Sequence, residues 1–192
     1  MKKNKTKIII TILIVLNVIF IWFTWNMYKQ KTIMYNYVVF ELMLSANRVS
    51  NTYDSLIDQL EKYEHDKYIY RISDKLYLNE IDFLDRLDAF VEIDPTNSLD
   101  ANTSSYKRKT WDRDSFEYDV ANNNDLEKHI QLLHKRRDIC EKYSLIREEL
   151  LENFNKKRFK HKEILGSVYS VKDNNLLVSK YIDMARELFD EQ

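Results

Sequence analysis

The sequence predicts an all-α protein: one N-terminal transmembrane helix, then an elongated antiparallel bundle of three or four helices with one long irregular connection. Three observations predict it. Residues 8–27 read IIITILIVLNVIFIWFTWNM, twenty positions without a charge. The 192-residue chain holds one Gly and one Pro, too little punctuation for sheets and turn-rich folds. Beyond residue 28, apolar residues recur at spacings of three and four, the period of a helix with one apolar face.

The apolar stretch comes first. At ~1.5 Å rise per residue a helix of this length covers about 30 Å, the hydrocarbon thickness of a bilayer. Trp22, Trp25 and Tyr28 gather at its far end, where amphipathic rings favour the membrane interface. A cleaved signal peptide has a shorter apolar run and a small-residue cleavage site. Here the first alanine is Ala46, so residues 8–27 read as an uncleaved signal-anchor in contact with the lipid bilayer. Lys2, Lys3, Lys5 and Lys7 precede it without an acid, against Lys29 and Lys31 just beyond. The richer basic flank faces the cytoplasm, so residues 1–7 form a short cytoplasmic tail and the C-terminal domain is extracytoplasmic.

Past the anchor the chain has 26 basic and 31 acidic residues, a net charge near −5. That balance disfavours nucleic acid as a partner. The sole cysteine, Cys140, cannot close an internal disulfide, so the domain relies on packing. Its place beside Ile139 on a helical seam suits a small hydrophobe.

Residues 28–94 read as a stalk helix and a second bundle helix. Ile33, Tyr37, Phe40 and Leu44 lead into Val49, Tyr53, Leu56, Leu60 and Tyr63, read as one stripe forming the core face of a bundle helix rather than a dimer zipper. One helix is expected to leave the membrane and run outward. The phase is lost at residues 64–74. Ser73-Asp74 is placed as the cap of a second helix through Leu76, Ile81, Leu84, Leu87 and Val91. Pro95 ends it, because a residue before proline is pushed out of the helical region. A hairpin of these two helices is preferred to a continuous rod, which would leave both stripes wet.

Residues 95–124 are read as a long loop. Residues 96–105 look disordered. Tyr106 to Val120 is too apolar for a linker, and the alternation of Phe116, Tyr118 and Val120 suggests a short extended segment laid on the bundle. Residues 125–192 supply the C-terminal bundle helices. Asn124 and Glu127 have capping-box spacing. Behind them Leu126, Ile130, Leu133, Cys140, Tyr143, Ile146, Leu150 and Phe154 mark a long helix, followed by Ile164, Leu165 and Val168. After Gly166 and the polar run from Lys172 to Asn175, a last helix spans Leu176 to Phe189. Charge supports the pairing: Asp54 to Asp94 holds twelve acids against five bases, Lys107 to Lys162 fifteen bases against eleven acids.

Chemistry is sparse. Among His65, His129, His134 and His161, the middle pair is five apart, about 140° around a helix, not the i, i+4 spacing of a zinc pair. All four read as solvated surface residues, and no metal site is assigned. One glycine excludes Gly-rich phosphate loops and G-x-S-x-G elbows. No catalytic residue, cofactor or small-molecule substrate is expected, and the chain does not read as an enzyme. The basic runs 107–109, 135–137 and 156–158 read as interleaved charge on exposed helix faces.

The function expected is that of a membrane-anchored interaction module of a bacterial-type envelope, binding another protein or itself. The alternative is a sensory or regulatory ectodomain that signals through a membrane partner, since a seven-residue tail holds no signalling domain. Asn17, in mid-span, is the residue suited to interhelical hydrogen bonding there. Trp111, with Tyr106 and Arg108, is the candidate partner contact, because Trp, Tyr and Arg dominate interface hot spots. The competing assignment packs Trp111 and Phe116 down on the bundle as a lid.

Overall fold

The computed structural model describes residues 2–62, 67–93, 103–122, 124, 126–156 and 171–190. These residues are almost all helical and contain no strand. The elements are α1 (Lys2–Glu61), α2 (Lys67–Ile93), α3 (Thr103–Tyr106), a 3₁₀ turn (Lys107–Lys109), α4 (Arg113–Ala121), α5 (Glu127–Lys156) and α6 (Val171–Asp190). The proline break at residue 95, the segment 96–102, Tyr63, His65, His161, residues 157–162 and Gly166 lie outside the described residues.

The 60 residues of α1 form one unbroken helix, about 90 Å long. Nothing in its sequence stops it: no Gly or Pro lies between Lys2 and Glu61. Its first part is long and apolar enough to cross a membrane and packs against no other element. The polar side chains there turn inward. Thr11 Oγ1, Asn17 Nδ2 and Thr24 Oγ1 donate to the carbonyls of Lys7, Leu13 and Phe20 at 3.0, 2.8 and 2.8 Å. Each thereby satisfies a donor that hydrocarbon could not.

Burial begins at Tyr35. From there α1 packs along α2, and paired residues run in opposite directions: Tyr35 with Phe90, Glu41 with Arg86, Arg48 with Asp82, Thr52 with Asn79. The two helices are therefore antiparallel neighbours. One continuous core joins Val39, Leu42, Val49, Tyr53, Leu56 and Leu60 of α1 to Ile69, Leu76, Phe83, Leu84 and Leu87 of α2. Leu133 and Cys140 of α5 and Val178, Ile182, Ala185 and Phe189 of α6 complete it. Each fully buried large side chain contributes about 1.5–3 kcal/mol.

Three expectations are corrected. The stripe read through α1 is two stripes. Val49, Tyr53, Leu56 and Leu60 are core, whereas Ile33, Tyr37 and Phe40 are exposed. The reason is phase: the five residues from Leu44 to Val49 turn a helix by about 140° past a full turn. Second, α2 begins at Lys67, not after a Ser73 cap, and Ser73 is buried in mid-helix. Third, the segment from Tyr106 to Val120 is not extended. Asp112 caps α4 by accepting from the Ser115 N–H at 3.1 Å, and Phe116 and Val120, one turn apart, face the core while Tyr118 points outward.

Candidate functional site

Glu80 on α2 lies at the bottom of a buried polar cluster. Its Oε1 accepts from the Tyr53 hydroxyl and, at 2.8 Å, from Arg136 Nη1 on α5. Its Oε2 accepts from the backbone N–H of Trp111. Arg136 Nη2 donates to the Lys109 carbonyl at 2.8 Å, and its guanidinium lies 5.4 Å over the Phe189 ring. Glu80 and Arg136 thus each make one bond to each other and one to the connection between α3 and α4. Three helices and that connection meet at one ion pair.

Burial and Glu80 push the Tyr53 hydroxyl well above its ordinary value, so it stays a donor. Burial opposes the charge on Arg136, yet Glu80 and Tyr53 raise its hold on its proton above the usual arginine range. Among the described residues, the buried Arg136 Nε meets no hydrogen-bond partner. Burial also raises the Cys140 thiol far above its ordinary range, with Glu80 adding to the effect.

Trp111 roofs the cluster. Only 2% of it is accessible, its indole N–H donates to Ser73 Oγ at 2.8 Å, and its ring packs 5.2 Å from Phe116 and 5.7 Å from His129. His129 sits edge-on to Phe116 and meets Asp119 Oδ2 through Nε2 at 2.8 Å. Asp119 also accepts from Asn124 and pairs with Lys128, each at 2.9 Å. The Asn124 amide, with Lys128 and His129, holds the Asp119 carboxyl well below the usual range. Asn124 Nδ2 is the donor of its bond to Asp119, and α5 starts at Glu127.

Of the candidate contact residues, only Arg108 is exposed. Tyr106 is buried and stacks on Phe189 at 6.1 Å, and Trp111 takes the lid position. Trp22, Trp25 and Tyr28 are exposed together at the end of the apolar stretch, and Asn17 is exposed in its middle with its amide on its own backbone. Two assignments are corrected. His129 is a core residue, not a solvated one, because Asp119 and two aromatic rings enclose it. Arg136 is buried, not part of an exposed basic run; Lys135 and Arg137 beside it face outward or sideways. Sequence reasoning missed Glu80 altogether. The usable sign was its register: Glu80 falls one turn after Leu76 and one before Leu84, on the apolar stripe of α2.

What the arrangement does chemically is hold elements together. The side chains of Glu80, Arg136 and Trp111 are buried. Among the described residues no group of three His, Cys, Asp or Glu side chains is placed to hold a metal ion. An open depression of about 440 Å³ lies elsewhere, lined by Asp54, Ser55, Ile57, Asp58, Glu61 and Arg137. Compared with protein-family models, curated proteins and solved structures, the chain matches none.

Proposed function

We propose that the chain is a single-pass, membrane-anchored helical interaction module, its N-terminus cytoplasmic and its antiparallel helical bundle presented outside the membrane to a protein partner. The observation that carries this reading is α1. One unbroken helix runs from the exposed apolar stretch into the core, so no irregular linker separates the two. The inward-bonded Thr11, Asn17 and Thr24 support the anchor, since they leave the stretch suited to hydrocarbon. The buried bonds among Glu80, Tyr53, Arg136 and the α3–α4 connection give that cluster a structural part, which leaves contact with a partner to the exposed helix faces.

The same continuity favours the regulatory alternative, because a displacement of the domain would reach the span with no irregular linker between them. Both readings share one topology, which two measurements test. Alkaline carbonate should leave the chain in the membrane pellet. A Tyr118→Cys variant, exposed on α4, should react with a membrane-impermeant thiol reagent in intact cells. Labelling only after permeabilisation would reverse the orientation, and release by carbonate would remove the anchor.

A further inference from the structure

We infer that the membrane-proximal part of α1 is the contact surface of a parallel homodimer, with a second copy of this chain lying along Ile33, Tyr37 and Phe40; this rests on the anchored reading above. These residues are 42%, 61% and 41% exposed, and Met34 beside them 48%. They follow one another at four and three residues, with half-buried Leu44 four further on, on the side of α1 roughly opposite the core residues Tyr35, Val39 and Leu42. A polar helix face would serve a solitary stalk. This one is apolar only from Ile33 to Leu44, and the next two seam positions are Asn47 and Asn51.

Three arguments select a second copy. The first is register. Stepping back by sevens from Ile33 and Tyr37 gives Asn26 and Gln30, then Ile19 and Phe23. The stripe is therefore collinear with an uncharged seam down the apolar stretch, the heptad geometry of a two-stranded coiled coil. Copies anchored by the same span share one orientation, so their seams meet parallel and level without rearrangement.

The second is chemistry. Asn26 and Gln30 occupy the seam where it leaves the apolar stretch. Side-chain amides carry both donors and acceptors, so each complements its own counterpart in an identical chain. Polar residues at such positions fix register and strand number.

The third is area. Side chains of this kind bury on the order of 150–250 Å² each, so the exposed patch is roughly 400 Å² per copy. Two copies cover about 800 Å², short of the ~1,200 Å² of a stable interface. The patch alone is thus too small to hold two free copies, and confinement of the copies to one bilayer in one orientation is what lets it serve. The dimer therefore belongs to the anchored chain.

Cysteine scanning in the full chain, in its own membranes, tests this. The unsubstituted chain is the blank, because its sole thiol, Cys140, is buried. Oxidation of Ile33→Cys and Phe40→Cys should give at least tenfold more disulfide-linked dimer than oxidation of Lys31→Cys, which is exposed at the same height on another face. A Tyr37→Lys/Phe40→Lys double variant should lower the dimer fraction at least tenfold in chemical cross-linking and still resist carbonate. Equal yields from all three cysteines, or monomer throughout in a carbonate-resistant chain, would overturn the dimer and give the stripe to lipid or another protein. A chain that washes off the membrane would overturn the anchored reading and the dimer with it.

Discussion

Glu80 and Arg136, 56 positions apart in sequence, meet at 2.8 Å with 0% and 1% of their side chains accessible. Few other contacts tie α2 to α5 so directly, and each residue also grips the α3–α4 connection. Removing one member of a buried pair strands the other charge, which costs about 3–5 kcal/mol. Glu80→Ala and Arg136→Ala should each destabilise the full chain in detergent micelles by that order in urea unfolding. A Glu80→Leu/Arg136→Met double variant should lose less than either single change. Additive losses would show that the pair is not coupled.

Trp111 should behave as core. Deleting a buried aromatic costs about 3–5 kcal/mol. For a chain of this size that lowers the melting temperature by on the order of 10 °C. Trp111→Phe keeps most of the packing but leaves Ser73 without its donor, so a smaller fall of about 1–3 kcal/mol is expected. A Trp111→Ala melt within a degree of the parent would place the ring outside the core in solution.

Acid should weaken the α4–α5 corner. The folded carboxyl of Asp119 titrates below its unfolded value of about 3.9. The stabilisation it lends is complete above that unfolded value and is lost as pH falls toward the folded one. Unfolding free energy should therefore decline as pH drops below about 4. Asp119→Asn should be less stable than the parent at pH 7 and show a shallower acid decline. An unchanged slope would move the acid sensitivity to another carboxylate, Glu187 among them, which Lys142 holds low.

Cys140 should be inert while the chain is folded. Burial withholds the thiolate, which is the reactive form. Modification by a chromogenic disulfide reagent at pH 8 should run at least a hundredfold slower in the native chain than in urea. Comparable rates would mean that the α5 seam opens readily.

The helical class and the N-terminal apolar stretch were legible because both are properties of composition and run length. The phase of α1 was not. Leu44 to Val49 continues an apolar list, and only the angle between them reveals that the face has changed. Residues Tyr106 to Val120 misled for a related reason: with Phe116, Tyr118 and Val120 alternating, period two and period four agree on Phe116 and Val120, and Tyr118 alone distinguishes them. The partner of Glu80 could not be read at all. It is one of 31 acids, and Arg136 one of 30 bases, so nothing local marks either as buried. Their register on apolar stripes was the available sign, and it needs the neighbouring helices to give it meaning.

The continuity of α1 also sets a bearing. Tyr35, the first buried position among the described residues, follows Met27 by eight steps of the helix, so the core starts about 12 Å from the end of the apolar stretch. With no joint between them, the azimuth of the whole head is dictated by the screw of that short rod. One inserted residue would swing the head by about 100° and lift it ~1.5 Å, whereas seven would return it almost to its original heading, about 10 Å higher. Which direction the α2–α6 surface faces about the axis of α1 is therefore written in the number of residues below it, and any contact held at a fixed height would meet a one-residue change as a turned back.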